Sequence, residues 1–223
     1  MAHSATATAS RHHGHSIGFN LGVIGLIVAA IAVGIAYLLN AANRPNTPVP
    51  APSDAMLART IGSTALTIPA SWIAEDGSDD ASFARQVDLV VTLPLGPNDA
   101  PRRIEVTLTQ RSRVRPSASL LDGVYLHEFK PDQLSGPPGL IGKPLVAEDG
   151  FESETVWYDP LNSSPFVAKC DAPIAPGQPG RCLRTVYLDS GIAVVYTFDD
   201  DALGAWRKFD AEMHPLLAKI GAV

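Results

Sequence analysis

From residue 56 onward, apolar and polar positions mostly alternate in short runs. In Arg102–Arg113, Ile104, Val106 and Leu108 fall on one side and Glu105, Thr107 and Thr109 on the other. That is the period of two of a strand with one buried face. Val87–Leu95 alternates around Leu89, Val91 and Leu93, and Gly96-Pro97-Asn98-Asp99 between the two runs signals a turn. Residues 87–110 therefore read as a hairpin. Leu57–Ile68 reads as one strand, or as a hairpin turning at Gly62-Ser63, closed by Pro69-Ala70-Ser71-Trp72. Leu140–Val146, Glu154–Tyr158 and Val167–Cys170 are three further candidate strands. Cys182–Leu188 and Ile192–Phe198 are the clearest, joined by an Asp189-Ser190-Gly191 turn.

Twice the period lengthens to that of a helix. Pro116 suits a first helical turn, and Ser117–Phe129 sets Leu120, Leu121, Val124 and Phe129 near helical spacing. Near the end, Leu203, Trp206, Phe209, Met213, Leu216, Leu217 and Ile220 recur at three and four, a stripe suited to docking on a sheet. Asp199, Asp200 and Asp201 offer N-cap groups for that helix, and Pro215 predicts a kink or break in it.

Before residue 56 the pattern is different. Ile17–Leu39 is apolar throughout except for Asn20. At roughly 1.5 Å per residue it spans a hydrocarbon core of roughly 30 Å. It is too long for a cleaved signal peptide, and Asn40-Ala41-Ala42 is a poor cleavage site. An uncleaved signal anchor is expected. Gly18 and Gly22 form a small-xxx-small pair through which another membrane helix could approach closely. Four prolines in residues 43–54 give a stiff, extended spacer. The expected organisation is a disordered tail (1–16), a transmembrane helix (17–39), a Pro-rich linker (40–55) and one domain (56–223). That domain has an α+β fold, an antiparallel sheet with helices packed on it.

The element order resembles the PsbP-like α/β/α domains. The points of likeness are a first strand ending in the Pro–x–x–Trp turn at Ile68-Pro69-Ala70-Ser71-Trp72, and a final strand running into a C-terminal helix. The chain also resembles single-pass bacterial membrane proteins that carry a small exported domain. The resemblance to PsbP-like domains implies a binding or assembly module rather than an enzyme.

Charge and cysteine content place this domain. Residues 1–50 hold two formal charges, Arg11 and Arg44, so the remainder carries 15 − 23 = −8. A net-negative domain argues against nonspecific nucleic-acid binding. Cys170 and Cys182 are the two cysteines, separated by a Pro/Gly-rich loop. Their spacing is far wider than Cys-x-x-Cys, and no histidine lies near them, so a structural disulfide is expected. With one flanking arginine on each side, the positive-inside rule is nearly silent. The cysteine pair therefore sets the expected orientation: anchored in the inner membrane by a single pass, domain in the periplasm.

Candidate chemistry is sparse. His12-His13-Gly14-His15 offers imidazoles on a polar tail, and Glu75, Asp76, Asp79 and Asp80 form an acidic loop without calcium-loop spacing. His127-Glu128 lacks the second histidine of a zinc protease motif. No catalytic residue, metal or cofactor is expected. Arg111, Arg113 and Arg115 alternate at a strand end, either as a cationic stripe able to hold a carboxylate or as a charged edge that blocks aggregation. Trp157 and Tyr158 adjoin a polar loop, as a recognition surface or as one core and one outward ring. The expected function is a membrane-anchored, non-catalytic binding or assembly module. An exported hydrolase or small-ligand binder is the alternative; it requires a deep pocket holding groups such as His127, Glu128 or the arginine stripe.

Overall fold

The structure is a computed structural model that describes residues 55–74, 82–147, 153–173 and 175–223. The tail, the apolar segment 17–39, residues 40–54 and the whole acidic 75–80 loop lie outside the described residues. Among the described residues, no helix is long and apolar enough to cross a membrane.

Among the described residues, nine strands and two helices form the domain. Strands β1 (Met56–Ile61) and β2 (Thr64–Pro69) make a separate two-stranded hairpin about Gly62-Ser63. Gly62 there has a φ of 61°, a backbone that glycine adopts without steric cost. The other seven are β3 (Gln86–Leu93), β4 (Arg102–Gln110), β5 (Ile141–Pro144), β6 (Glu154–Tyr158), β7 (Val167–Asp171), β8 (Arg181–Tyr187) and β9 (Ile192–Asp199). They form one sheet in the order β3-β4-β9-β8-β7-β6-β5, every neighbouring pair antiparallel. The chain makes the β3–β4 hairpin, crosses to the far edge, and meanders back until β9 pairs with β4.

Strand alternation sorts side chains between two faces. Ile104, Val106, Tyr196, Phe198, Cys182 and Ala168 face the core beneath helix α2 (Trp206–Lys219), which contributes Phe209, Met213 and Leu217. On the opposite face, Val156 and Val167 pack with Leu121 of helix α1 (Ser117–Gly123), and with Tyr125 and Leu145. The helices thus lie on opposite faces. Helix α1 enters where β7 and β8 part: their pairing stops at Lys169 and Leu183, and the Thr185 amide donates instead to the buried Ser117 Oγ at 2.8 Å. Across the outer face of β3, β4, β9 and β8, half-exposed Val90, Thr107, Val195 and Thr197 lie in the open. One antiparallel face turned to water is common.

Several expectations need correction. Ser117–Phe129 is not one helix: α1 stops at Gly123, Val124 leaves the helical region (φ −136°, ψ −64°), and Tyr125–His127 is a separate 3-10 turn. Asp199–Asp201 do not cap α2; they lead into a 3-10 stretch, Asp200–Ala205, with no side-chain capping bond. Pro215 does not break α2, which runs through it. Pro215 is exposed, so the carbonyl it leaves unpaired on that side of the helix stays accessible to water.

Candidate functional site

At the end of the sheet where β3, β7 and β9 finish and β4 and β8 begin, two loops face one another. One is the β3–β4 turn, a short 3-10 piece at Pro97–Asp99 in which Asn98 (φ 53°) and Asp99 (φ 59°) are both left-handed. Asparagine and aspartate tolerate this conformation best among non-glycine residues. Paired outliers of this kind concentrate at ligand clamps. The other is the 3-10 stretch leading into α2. Between them runs a groove of about 550 Å³. Its floor includes Leu95, Gly96 and Ala205, and its rim includes Asp99, Asp201, Arg207 and Lys208.

Two ion pairs brace the groove. Arg102 grips Asp201 through two nitrogens, Nε at 2.8 Å and Nη2 at 2.5 Å. This bond is the main reason the guanidinium is held above its ordinary value. Lys208 of α2 bonds Asp99 across the mouth. Gly96 makes the first brace possible, since a Cβ there would sit 2.7 Å from Arg102 Cζ. Arg207 lies over the Trp206 ring at 4.6 Å, and the indole Nε1 donates to Pro138 O at 3.1 Å.

The ionic frame continues onto the outer sheet face. Arg181 bonds Asp199 at 3.1 Å and Glu105 at 2.8 Å, and Arg103 reaches Glu105 at 3.8 Å. A smaller pocket of about 300 Å³ beside it includes Asp171, Pro179, Arg181 and Asp199. The result is an apolar-floored groove inside a belt of exposed, mostly paired charges. Protein interfaces have this anatomy, with an apolar centre and a polar rim.

The residues singled out from sequence do not assemble into one site. Arg111–Arg113 turns into a 3-10 piece after β4, so the three arginines form no alternating strand stripe. Arg111 lies over the Tyr187 ring at 5.1 Å, while Arg113 and Arg115 point to solvent. Trp157 faces the α2 core, pressed against Gly136 and Gly142, whereas Tyr158 faces the other side and stacks on Phe129 at 5.9 Å. The two rings are one inner and one outer, as strand alternation dictates. His127 and Glu128 do not line the groove. Cys170 and Cys182 are directly opposed on β7 and β8 and joined in a buried disulfide. Among the described residues there is no group of three or more His, Cys, Asp or Glu positioned to hold a metal.

The groove itself was half visible in the sequence. The Gly-Pro-Asn-Asp turn and the three consecutive aspartates stand out locally, but their partners Arg102, Arg181 and Lys208 come from elements distant in sequence.

No protein-family model matches the chain, and no curated protein matches it. Among solved structures, the chain is similar to an immunity protein of the Stenotrophomonas maltophilia type IV secretion system. The TM-score is 0.50 at 15% identity, covering 74% of this chain and 93% of that one. The likeness establishes a shared α+β fold.

Proposed function

We propose that the chain is a membrane-tethered, extracytoplasmic binding module, non-catalytic, that captures a partner protein in the groove at the end of its sheet. The observation that carries this reading is the groove: an apolar floor framed by exposed ion pairs on a rigid, disulfide-stapled sheet. Its charges are already paired with one another, which suits selecting a partner by matching its rim charges. The apolar segment 17–39 and the Pro-rich linker supply the tether. The disulfide supports an oxidising compartment, the periplasm for a bacterial chain. The fold is one that an immunity protein uses, and the resemblance to PsbP-like domains points the same way. Both support a protective or assembly role, with Gly18 and Gly22 as a second, membrane-embedded contact.

Site-specific photo-crosslinking in intact cells tests this. A Cβ at Gly204 on the groove meets nothing within 4 Å, so a photoreactive side chain fits there without strain. A discrete heterologous adduct is expected from Gly204 and none from exposed Asp122 on α1. No adduct at Gly204, or equal adducts at both positions, refutes the groove as the docking site.

A further inference from the structure

At the opposite end of the sheet a second, smaller pocket of about 240 Å³ is formed by three turns. The β1–β2 turn contributes Gly62 and Ser63, the end of β4 contributes Gln110, Arg111 and Ser112, and the β8–β9 turn contributes Ser190 and Gly191. Among the described residues its lining holds one cation, hydroxyls and an amide, and no carboxylate. This stands out in a domain whose residues beyond position 50 sum to 15 − 23 = −8.

The walls are fixed before any ligand arrives. Thr64 Oγ1 donates to Ser190 O at 2.8 Å, and Ser190 Oγ donates to Ala222 O at 2.5 Å. The Arg111 amide donates to Gly191 O at 3.4 Å. The single proton of the Tyr187 hydroxyl is within reach of Val114 O at 2.7 Å and Arg111 O at 3.2 Å, holding the arginine turn while the ring supports the guanidinium. Among the described residues, Arg111 Nε is buried with no hydrogen-bond partner, so no protein acceptor is bound at that atom. Gly62 (φ 61°) and Gly191 (φ 89°) allow both turns to close on the pocket.

We infer that this pocket binds one oxyanion group, a phosphate or carboxylate of a small solute, on Arg111. The guanidinium fork supplies charge and paired donors of the kind that suit an oxyanion. Ser63, Ser112 and Gln110 supply neutral donors around it. The volume is below the usual range for drug-sized ligands, about 300–1,000 Å³, so the site fits the charged group and a few atoms beyond it. The site is independent of the groove and survives or fails without it.

The test is calorimetry and ligand-observed NMR on the full-length chain in detergent, titrated separately with inorganic phosphate and with acetate. Saturable binding of one or both is expected. Arg111→Gln should weaken it about tenfold or more, with Arg111→Lys intermediate, because lysine keeps the charge but loses the fork. Arg113→Gln, on an exposed neighbour, should leave binding unchanged. If Arg111→Gln lowers folding stability, the pair Ser63→Ala and Ser112→Ala substitutes for it, each expected to weaken binding a few-fold. The proposal is overturned by no saturable binding of either anion at about 20 mM, a concentration that reaches even weak single-group sites. It is also overturned by binding that Arg111→Gln and the serine variants leave intact.

Discussion

Gly142 and Trp157 are paired across β5 and β6, and the indole fills the space a side chain at Gly142 would occupy. An added Cβ would lie 2.5 Å from Cζ3 and 2.6 Å from Cη2 of the ring. Relaxed carbon contacts are about 3.5–4.0 Å, so the ring must retreat by roughly 1 Å into a packed core. Overpacking of this kind costs about 1–3 kcal/mol, a fall of roughly 2–12 °C in Tm for a domain of this size. Trp157→Ala alone should cost about 2–4 kcal/mol, below the fully buried range because the ring is half-buried. In that background the sign of the glycine substitution reverses. The clash is gone, and alanine in a strand is favoured over glycine by about 0.5–1 kcal/mol. The coupling in the double-mutant cycle should then be about 1.5–4 kcal/mol. Urea unfolding followed by circular dichroism on wild type, Gly142→Ala, Trp157→Ala and the double variant measures each term. If Gly142→Ala costs the same with and without Trp157, the packing account of this pair is wrong.

Three further outcomes are expected. Reducing Cys170–Cys182, which closes a loop of sequence separation 12, should lower stability by about 3 kcal/mol on the loop-entropy model, read as a Tm difference with and without reductant. A difference under about 2 °C would refute it. Arg184 is buried beneath α2, stacked on Phe166 at 4.4 Å and bonded at 2.7 Å to Asp210, whose side chain is 61% exposed. Asp210→Ala should therefore destabilise by about 1.5–3 kcal/mol by stranding the cation, while Arg184→Met in the same background recovers most of the loss; thermal melts of the variants decide it. Burial pushes the Tyr196 hydroxyl well above its ordinary 10.0, Asp210 adding to the effect and Arg184 opposing it. Tyr125 shifts the same way, first through burial. The folded state then favours the neutral phenol, so stability is full below pH about 10 and falls as pH rises beyond it. Tyr196→Phe should flatten that alkaline decline in melts run from pH 8 to 11, and an unchanged slope would count against the assignment.

The strands were legible in the sequence wherever one face is buried. Ile104, Val106 and Leu108 gave the period of β4, and Asp189-Ser190-Gly191 gave the β8–β9 turn, because these signals are local. Glu154–Tyr158 was located to the residue. The errors fall where tertiary contacts override local preference. Arg111 and Arg113 continue the β4 alternation on paper, but the strand ends at Gln110 and the Tyr187 hydroxyl captures the next carbonyl. Asp201 has the chemistry of a cap, yet Arg102 takes it. Pro215 is a helix breaker by rule, but an exposed one loses little where Phe209, Met213 and Leu217 hold the helix down. The groove needed pairs such as Asp99 with Lys208 and Glu105 with Arg181, which no window of sequence contains.

The route of the chain through the sheet also sets a schedule for its birth. β4 lies between β3 and β9, and residues 111–191 separate it from the strand that covers its second edge. A chain emerging N-terminus first presents the β3–β4 hairpin with one ladder of amides and carbonyls open until nearly all of the domain has followed. Non-local pairing of this kind is slow, and an open edge invites pairing with other chains. The last segment of the domain to appear, β9 and α2, closes the sheet and covers the core. Truncation before Ile192 therefore removes the seal rather than an appendage, and leaves an unfinished, adhesive sheet.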